Sequence, residues 1–319
     1  MGKVIGIDLG GTNLKSGLIT ADGRLQNLLY QPAESPKGPK RVIENLLRAV
    51  DRQLSEAQGE NILGIGIGAA GQVDFGRGVV HDPPNFPGWH EEPLADIVRE
   101  RFGLPTFVDN DANVAALAEK AFGAGKDADH FMLITLGTGV GSGLILNGKL
   151  YRGAVGAAGE FGHTTIQYDG PVCNCGNRGC IERYVGARWL VERTLDYLPQ
   201  FPDSSLNRVH ESEEITPKAV ADAANAGDRL GLLVMREVGT FLGIAITSVL
   251  NLLNLELVIV GGGISKAGKV LFEPMKQFVQ EHAMSVPASV ARIEPARMGE
   301  QAGVIGAGQL VYESLSTGR

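Results

Sequence analysis

IDLGGTNLKSGLI, residues 7–19, and ITLGTGVGSGLI, residues 134–145, nearly repeat one another. Each runs from an apolar strand through a Gly/Thr turn into SGLI, with one residue of slip in the turn. Each reads as a β-hairpin: strand, glycine turn, second strand. The first hairpin is followed by a turn, ADGR (21–24), and then by RVIENLLRAVDRQLSEA (41–57). That segment has apolar residues at 42, 43, 46, 47, 50 and 54, the spacing of a helix with one buried face. NILGIGIGAA (61–70) reads as a buried strand. The second hairpin leads less directly to the same ending, a helix MREVGTFLGIAITSVLNLLN (235–254) and a strand LELVIVGGGI (255–264). Two α/β halves, each opening on a glycine hairpin, predict a duplicated domain with a cleft between the copies.

The bulk properties fit two domains. The chain has 319 residues, 44% of them hydrophobic, more than one ordinary core accommodates. Glycine is abundant, at 44 residues, which implies tight turns and close backbone approaches. A net charge of −7 without a basic run argues against nucleic acid as a partner. MGKVIGIDLG passes directly into a strand pattern rather than a signal peptide, and Gly6 spoils an N-myristoylation motif. No uninterrupted apolar run reaches the roughly 18 residues of a membrane span. The expectation is a cytoplasmic protein with reduced thiols, bound to no membrane.

Glycines and threonines at a hairpin turn have a chemical use. Successive backbone N–H groups there form anion-binding concavities, and a missing Cβ lets a phosphate approach. Thr12 and Thr138 add hydroxyl donors. Asp8, at the strand end, can hold Mg²⁺ through water, because Mg²⁺ keeps several waters and takes few carboxylates. Other nucleotide motifs fail. There is no G-x-x-x-x-G-K-[ST]. Gly66, Gly68 and Gly71 spell G-x-G-x-x-G after a strand, but the turn-rich QVDFGRGVVHDPPNFPG follows where a dinucleotide site needs a helix. Gly261, Gly262 and Gly263 directly follow the strand LVIV, another turn that permits close approach.

FVDNDANVAALAEKAFGAG (107–125) carries a carboxylate at a helix start. A short strand ends in Asp109-Asn110-Asp111, a helix runs from about Ala112 to Phe122, and Gly123 ends it. Asn110 or Asp111 should be the N-cap. A carboxylate at such a junction can also act as a general base, and the two roles can be divided between the neighbours.

All three cysteines fall within VCNCGNRGC (172–180), at positions 173, 175 and 180. Disulfides need pairs, and a closed zinc site needs four ligands. The spacing C-x-C-x₄-C reads as zinc with three thiolates. The fourth ligand is open among six histidines, of which His163 is nearest.

Taken together, these segments resemble the ROK sugar kinases, within the actin-like ATPase superfamily. DLGGTNLK (8–15) resembles their first phosphate motif and LGTGVGSG (136–143) their second. VDNDANVAA (108–116) resembles their catalytic segment, and GEFGH (159–163) with CNCGNRGCIE (173–182) their zinc and sugar signature. The matches run in family order from residue 4 to about 265. The resemblance implies an α/β, actin-like ATPase (ribonuclease H-like) fold with two α/β domains around a cleft. Residues 1–118, joined by a C-terminal helix 300–319, would form the N-terminal domain, and 119–299 the C-terminal one.

It further implies ATP-dependent phosphorylation of a hexose at the 6-hydroxyl, with Asp111 as general base. Gly71, Asn85, Asn110, Asp111, Glu160, His163 and Glu182 are the implied sugar contacts. Asp8, Gly10, Gly11, Thr12, Gly137, Thr138, Gly139 and Gly261–Gly263 would bind ATP, with Mg²⁺ bridging phosphate oxygens. His163, Cys173, Cys175 and Cys180 would hold a structural Zn²⁺, and the second ring nitrogen of His163 would face a sugar hydroxyl. Glucose is the first choice of sugar, because GEFGHTTI…CNCGNRGCIE resembles the glucokinases of the family. N-acetylmannosamine, N-acetylglucosamine and fructose are alternatives, and polyphosphate is an alternative donor. Members that repress transcription carry a helix-turn-helix before the kinase-like part, whereas here the first strand begins at Lys3. A catalytically silent sugar-binding regulator is the alternative of another class, and Asp111 argues against it. The family also implies a homodimer. Residues 198–228 are expected to be a loop-containing insert with a helix starting at Thr216-Pro217 and no chemistry, and His210 is expected at the surface.

Overall fold

A computed structural model describes residues 2–81 and 86–318. The chain opens with β1 (Lys3–Leu9), β2 (Asn13–Ile19), β3 (Leu25–Pro32) and α1 (Pro39–Glu56). Then follow β4 (Ile62–Ala69), β5 (Val73–Asp74), β6 (Val79–Val80), α2 (Leu94–Phe102), β7 (Thr106–Asn110) and α3 (Asp111–Phe122). The second half begins with β8 (Phe131–Leu136), β9 (Val140–Leu146) and β10 (Lys149–Leu150). Five helices follow: α4 (Glu182–Val185), α5 (Ala187–Tyr197), α6 (Leu206–Ser212), α7 (Pro217–Asn225) and α8 (Arg229–Leu253). The chain ends with β11 (Leu257–Gly261), α9 (Lys269–His282), α10 (Ser285–Val290), β12 (Arg292–Pro295) and α11 (Ala302–Ser316).

Two five-stranded sheets have the same plan. One is ordered β3-β2-β1-β4-β7 and the other β10-β9-β8-β11-β12. In both, the first strand of a glycine hairpin is central and pairs in parallel with a later strand, β1 with β4 and β8 with β11. The repeat seen in the two glycine segments is therefore a repeat of topology. The chain divides into two compact units, residues 1–129, 143–159 and 297–319, and residues 130–142 and 160–296. Residues 119–129 and 143–159, assigned from sequence to the second domain, fall in the first unit. A boundary at 118 would cut α3, which continues to Phe122.

Alternation along β1 and β4 explains the first unit. Ile5, Ile7, Ile65 and Ile67 are fully buried in one core with Leu46 and Val50 of α1. The residues between them face α11. Val4 packs with Val304 and Val311, and Gly6 and Gly66 admit the helix backbone. A Cβ on Gly66 would lie 1.8 Å from the Ala307 carbonyl oxygen. So the GIGIG of β4 is an isoleucine face and a helix-packing glycine face, which agrees with the rejection of a dinucleotide motif there. Gly66→Ala is expected to cost about 1–3 kcal/mol by overpacking, read as a lower urea midpoint with an unchanged slope. Glu119, buried on α3, accepts the amides of Arg297 and Met298 at 2.8 Å and that of Ala124 at 2.7 Å. It thereby fixes the start of the C-terminal segment within the first unit.

In the second unit α8 begins at Arg229, six residues before the start read from sequence. Asp228 caps it, accepting the Leu230 and Gly231 amides at 3.0 and 3.1 Å. Val234, Val238, Leu242, Ile246 and Leu250 form a fully buried stripe at i, i+4 spacing. By length and composition α8 could cross a membrane, an exception to the expectation from sequence, but most of its apolar window is buried within the protein. The 198–228 insert is more helical than expected, because it contains α6 as well as α7. Thr216 caps α7 through the Ala219 amide at 3.1 Å, with Pro217 at the first helical position, and His210 is exposed, both as expected.

Candidate functional site

In the first unit the C-terminal ends of β1 and β7 carry the carboxylates. Asp8 lies on the α11 side of β1, where a Cβ on Gly303 would stand 2.6 Å from its carboxyl carbon. The hairpin register places Lys15 directly across from it, and Lys15 Nζ lies 3.1 Å from Asp8 Oδ2. The turn between these strands closes with the Gly10 amide on the Asn13 carbonyl at 3.0 Å. It is braced from behind by Ser35 Oγ on the Gly11 carbonyl at 2.6 Å and by the Ala33 amide on the Thr12 carbonyl at 2.9 Å. Thr12 itself is exposed.

At the end of β7 capping and carboxylate are divided between neighbours. Asn110 is the N-cap of α3, its Oδ1 accepting the Ala112 and Asn113 amides at 2.9 and 3.2 Å. Its Nδ2 donates to the Gly71 carbonyl at 2.9 Å, which joins two of the implied sugar residues. Asp111 is half-buried at the first helical position, and its Oδ1 also accepts the Ala112 amide, at 2.8 Å. Burial, and then the Asp8 charge, raise its carboxyl to about 6. Asn85 lies outside the described residues.

In the second unit three motifs converge on Val140. The 137–139 turn closes with the Gly137 amide on the Gly139 carbonyl, and the Ala187 amide at the start of α5 bonds the Gly137 carbonyl, both at 3.0 Å. Glu182 Oε2 accepts the Val140 amide at 2.9 Å. A Cβ on Gly139 would lie 2.6 Å from that oxygen, so a side chain here would displace the Glu182 carboxylate. On the other side, a Cβ on Gly162 would lie 2.2 Å from the Val140 carbonyl oxygen, which places the turn holding His163 against the same residue. Gly262, at φ +86°, packs on the end of β8, where a Cβ would be 2.2 Å from the Leu136 carbonyl oxygen. Gly261–Gly263 and Gly137–Gly139 therefore flank one strand end. Glu160 is exposed, and its carbonyl accepts the His163 amide at 3.0 Å.

His163, Cys173, Cys175 and Cys180 bring their ligand atoms within 4.8 Å of one another. His163 Nδ1 is 3.6 Å from Cys173 Sγ, and the sulfurs of Cys175 and Cys180 are 3.7 Å apart. That is far beyond a disulfide. Metal–sulfur bonds of about 2.3 Å give a tetrahedron with sulfur–sulfur edges of about 3.8 Å, so the spacing fits zinc. Nδ1 faces the thiols, which leaves Nε2 as the other ring nitrogen. Burial, and then the bond to Cys175, push the Cys180 thiol up to about 12. A divalent cation reverses that tendency, because coordination favours the thiolate.

Three side chains at these sites had no role in the sequence reading. Lys15 was legible, since counting the register of the first hairpin sets it opposite Asp8. Asp109 and Arg152 were not, because only the fold brings them together.

The ROK family matches this chain over residues 4–314. The glucokinase of Halalkalibacterium halodurans is 38% identical over 97% of this chain and 94% of its own. The structure of a Streptomyces griseus ROK glucokinase in complex with glucose and AMPPNP is similar at a TM-score of 0.85 and 33% identity, covering 98% of this chain and all of its own. The xylose repressor of Caldicellulosiruptor bescii is 31% identical over 99% of this chain and 79% of its own. The protein belongs to the ROK family and has the actin-like ATPase fold.

Proposed function

We propose that this protein is an ATP-dependent hexose kinase that phosphorylates glucose at its 6-hydroxyl. The observation that carries the reading is Asp111, a half-buried carboxylate at the first position of α3, the helix that Asn110 caps. The likeness to glucokinases over nearly the whole chain supports the same activity.

In this reading Asp111 accepts the proton of the 6-hydroxyl as that oxygen attacks the γ-phosphorus. Positioning and charge stabilisation supply most of the rate, since phosphoryl transfer leaves little covalent work to the protein. Asn110, Gly71, Asn85, Glu160, His163 and Glu182 orient the sugar. The turns at Gly10–Thr12 and Gly137–Gly139 hold the phosphates by the backbone N–H groups beyond those of Gly10 and Gly137, which close the turns, and Gly261–Gly263 approach the adenosine. Asp8 is the carboxylate that would hold Mg²⁺, and the cation would supply neutralisation of the phosphate charge. His163 Nδ1 and the three thiolates would hold Zn²⁺ apart from the reacting atoms, where it would brace the loop that presents Nε2 to a sugar hydroxyl. A cytoplasmic homodimer agrees with this activity.

Phosphorus NMR of the product tests the reaction. ATP, Mg²⁺ and glucose should give a phosphomonoester at carbon 6 and stoichiometric ADP. Product formed from polyphosphate but not from ATP would replace the donor. The likeness to a xylose repressor supports one other reading, a sugar-binding regulator, which requires hexose binding without turnover.

A further inference from the structure

We propose that Arg152 is a positioning residue that locks together the segments carrying Gly71, Asn110 and Asp111. The inference rests on the kinase reading above.

Asp109, the residue before Asn110 on β7, is 1% exposed. A carboxylate buried so deeply needs a cation or a full set of donors, and Asp109 has both. Its Oδ1 accepts the Asn110 amide and Asn113 Nδ2, each at 2.8 Å. Its Oδ2 accepts Arg152 Nε at 2.7 Å. The bond to the Asn110 amide fixes the backbone immediately before Asp111. The Arg152 guanidinium also lies over the ring of Phe75, 3.9 Å from its centroid, in the turn between β5 and β6. Phe75 is four residues beyond Gly71, whose carbonyl is held by Asn110. After Arg152 the chain folds back, with the Ala158 amide on the Arg152 carbonyl at 3.1 Å. Gly156, at φ +91°, packs against β5, where a Cβ would lie 2.5 Å from the Val73 carbonyl oxygen.

Residues 71–75, 109–111 and 152–158 thus form one closed set of contacts with Arg152 at the centre. A guanidinium can bond a carboxylate in its plane while stacking on an aromatic face, and a lysine ammonium cannot do both with the same geometry. Arg152 touches no reacting atom in this account. It acts by holding Asn110 and Gly71 where they meet the sugar.

The test compares wild type with Arg152→Ala, Arg152→Lys and Phe75→Leu. The readouts are the glucose KM, the ATP KM, kcat and the calorimetric glucose Kd. Arg152→Ala should raise the glucose KM and Kd by about tenfold or more, with the ATP KM within about twofold of wild type. Lysine should rescue part of the loss, since it returns the charge without the stacked fork. Phe75→Leu should raise the same two glucose parameters by less. A fall in folded protein alone would lower kcat and leave both KM values unchanged. The inference is overturned if Arg152→Ala keeps its glucose KM and Kd, or if the KM values of glucose and ATP rise equally. Failure of the kinase reading would instead appear in the wild type, as binding without turnover. The glucose Kd of the variants then decides the role of Arg152.

Discussion

Below about pH 6, kcat/KM for glucose should fall tenfold with each unit of pH, and Asp111→Asn should remove the enzyme's ability to follow that profile. The sign follows from the role. A general base works ionised, so activity is present above the pKa of its carboxyl and is lost as pH falls through it. Burial and the Asp8 charge place that pKa at about 6 rather than near 4. At pH 8, where Asp111 is ionised, the asparagine variant should lose about 10²–10⁴-fold in kcat. Calorimetry should show glucose still bound, because asparagine keeps the size and hydrogen-bonding capacity of the side chain. An acid limb near pH 4 would mean that the environment of Asp111 does not raise its carboxyl. A variant within a few-fold of wild type in kcat would remove Asp111 from the chemistry.

Loss of the metal should cost less, by a different route. Wild type should contain one zinc per chain by atomic absorption, and Cys173→Ser should contain little. Cys173 and Cys180 are buried, and isolated bridges between Thr165 and Cys180 and between Val172 and Arg178 are the sheet-like pairings of this loop. Without the cation the buried thiols lose their common partner, and His163 is no longer oriented. Glucose kcat/KM should fall by about 10–100-fold. The ATP KM should also rise, by less, because Gly162 and Glu182 both pack on Val140, next to the 137–139 turn. Zinc-free protein with unchanged kinetics for both substrates would contradict a role for the metal in shaping this loop.

The two glycine hairpins could be read because a repeated strand–turn–strand pattern needs no tertiary knowledge. The duplicated topology followed from them. The cysteine cluster was equally legible, since C-x-C-x₄-C restricts the chemistry to a few choices, but it left the histidine open until a family resemblance pointed to His163. Local periodicity failed where packing decides. The start of α8 at Arg229 rests on an aspartate cap that also bonds Ser204 and Ser205, residues far back in the chain. The glycines of β4 look like a nucleotide motif in one dimension. Only packing gives their reason, Gly66 against α11 from the far end of the chain and Gly68 against Val114 of α3. Asp109 and Arg152 are 43 residues apart and were invisible for the same cause. The division between Asn110 and Asp111 lay between these cases. Sequence could say that one of them caps α3, and only geometry says that it is Asn110.

A coupled ADP-release assay with ATP and Mg²⁺ against glucose, fructose, mannose, N-acetylglucosamine and N-acetylmannosamine decides both the activity and the substrate. Glucose should show the highest kcat/KM. An N-acetylated hexosamine in first place would keep the fold and the base and replace the substrate. Absence of turnover with every hexose, in zinc-loaded protein that still binds glucose, would contradict the kinase itself.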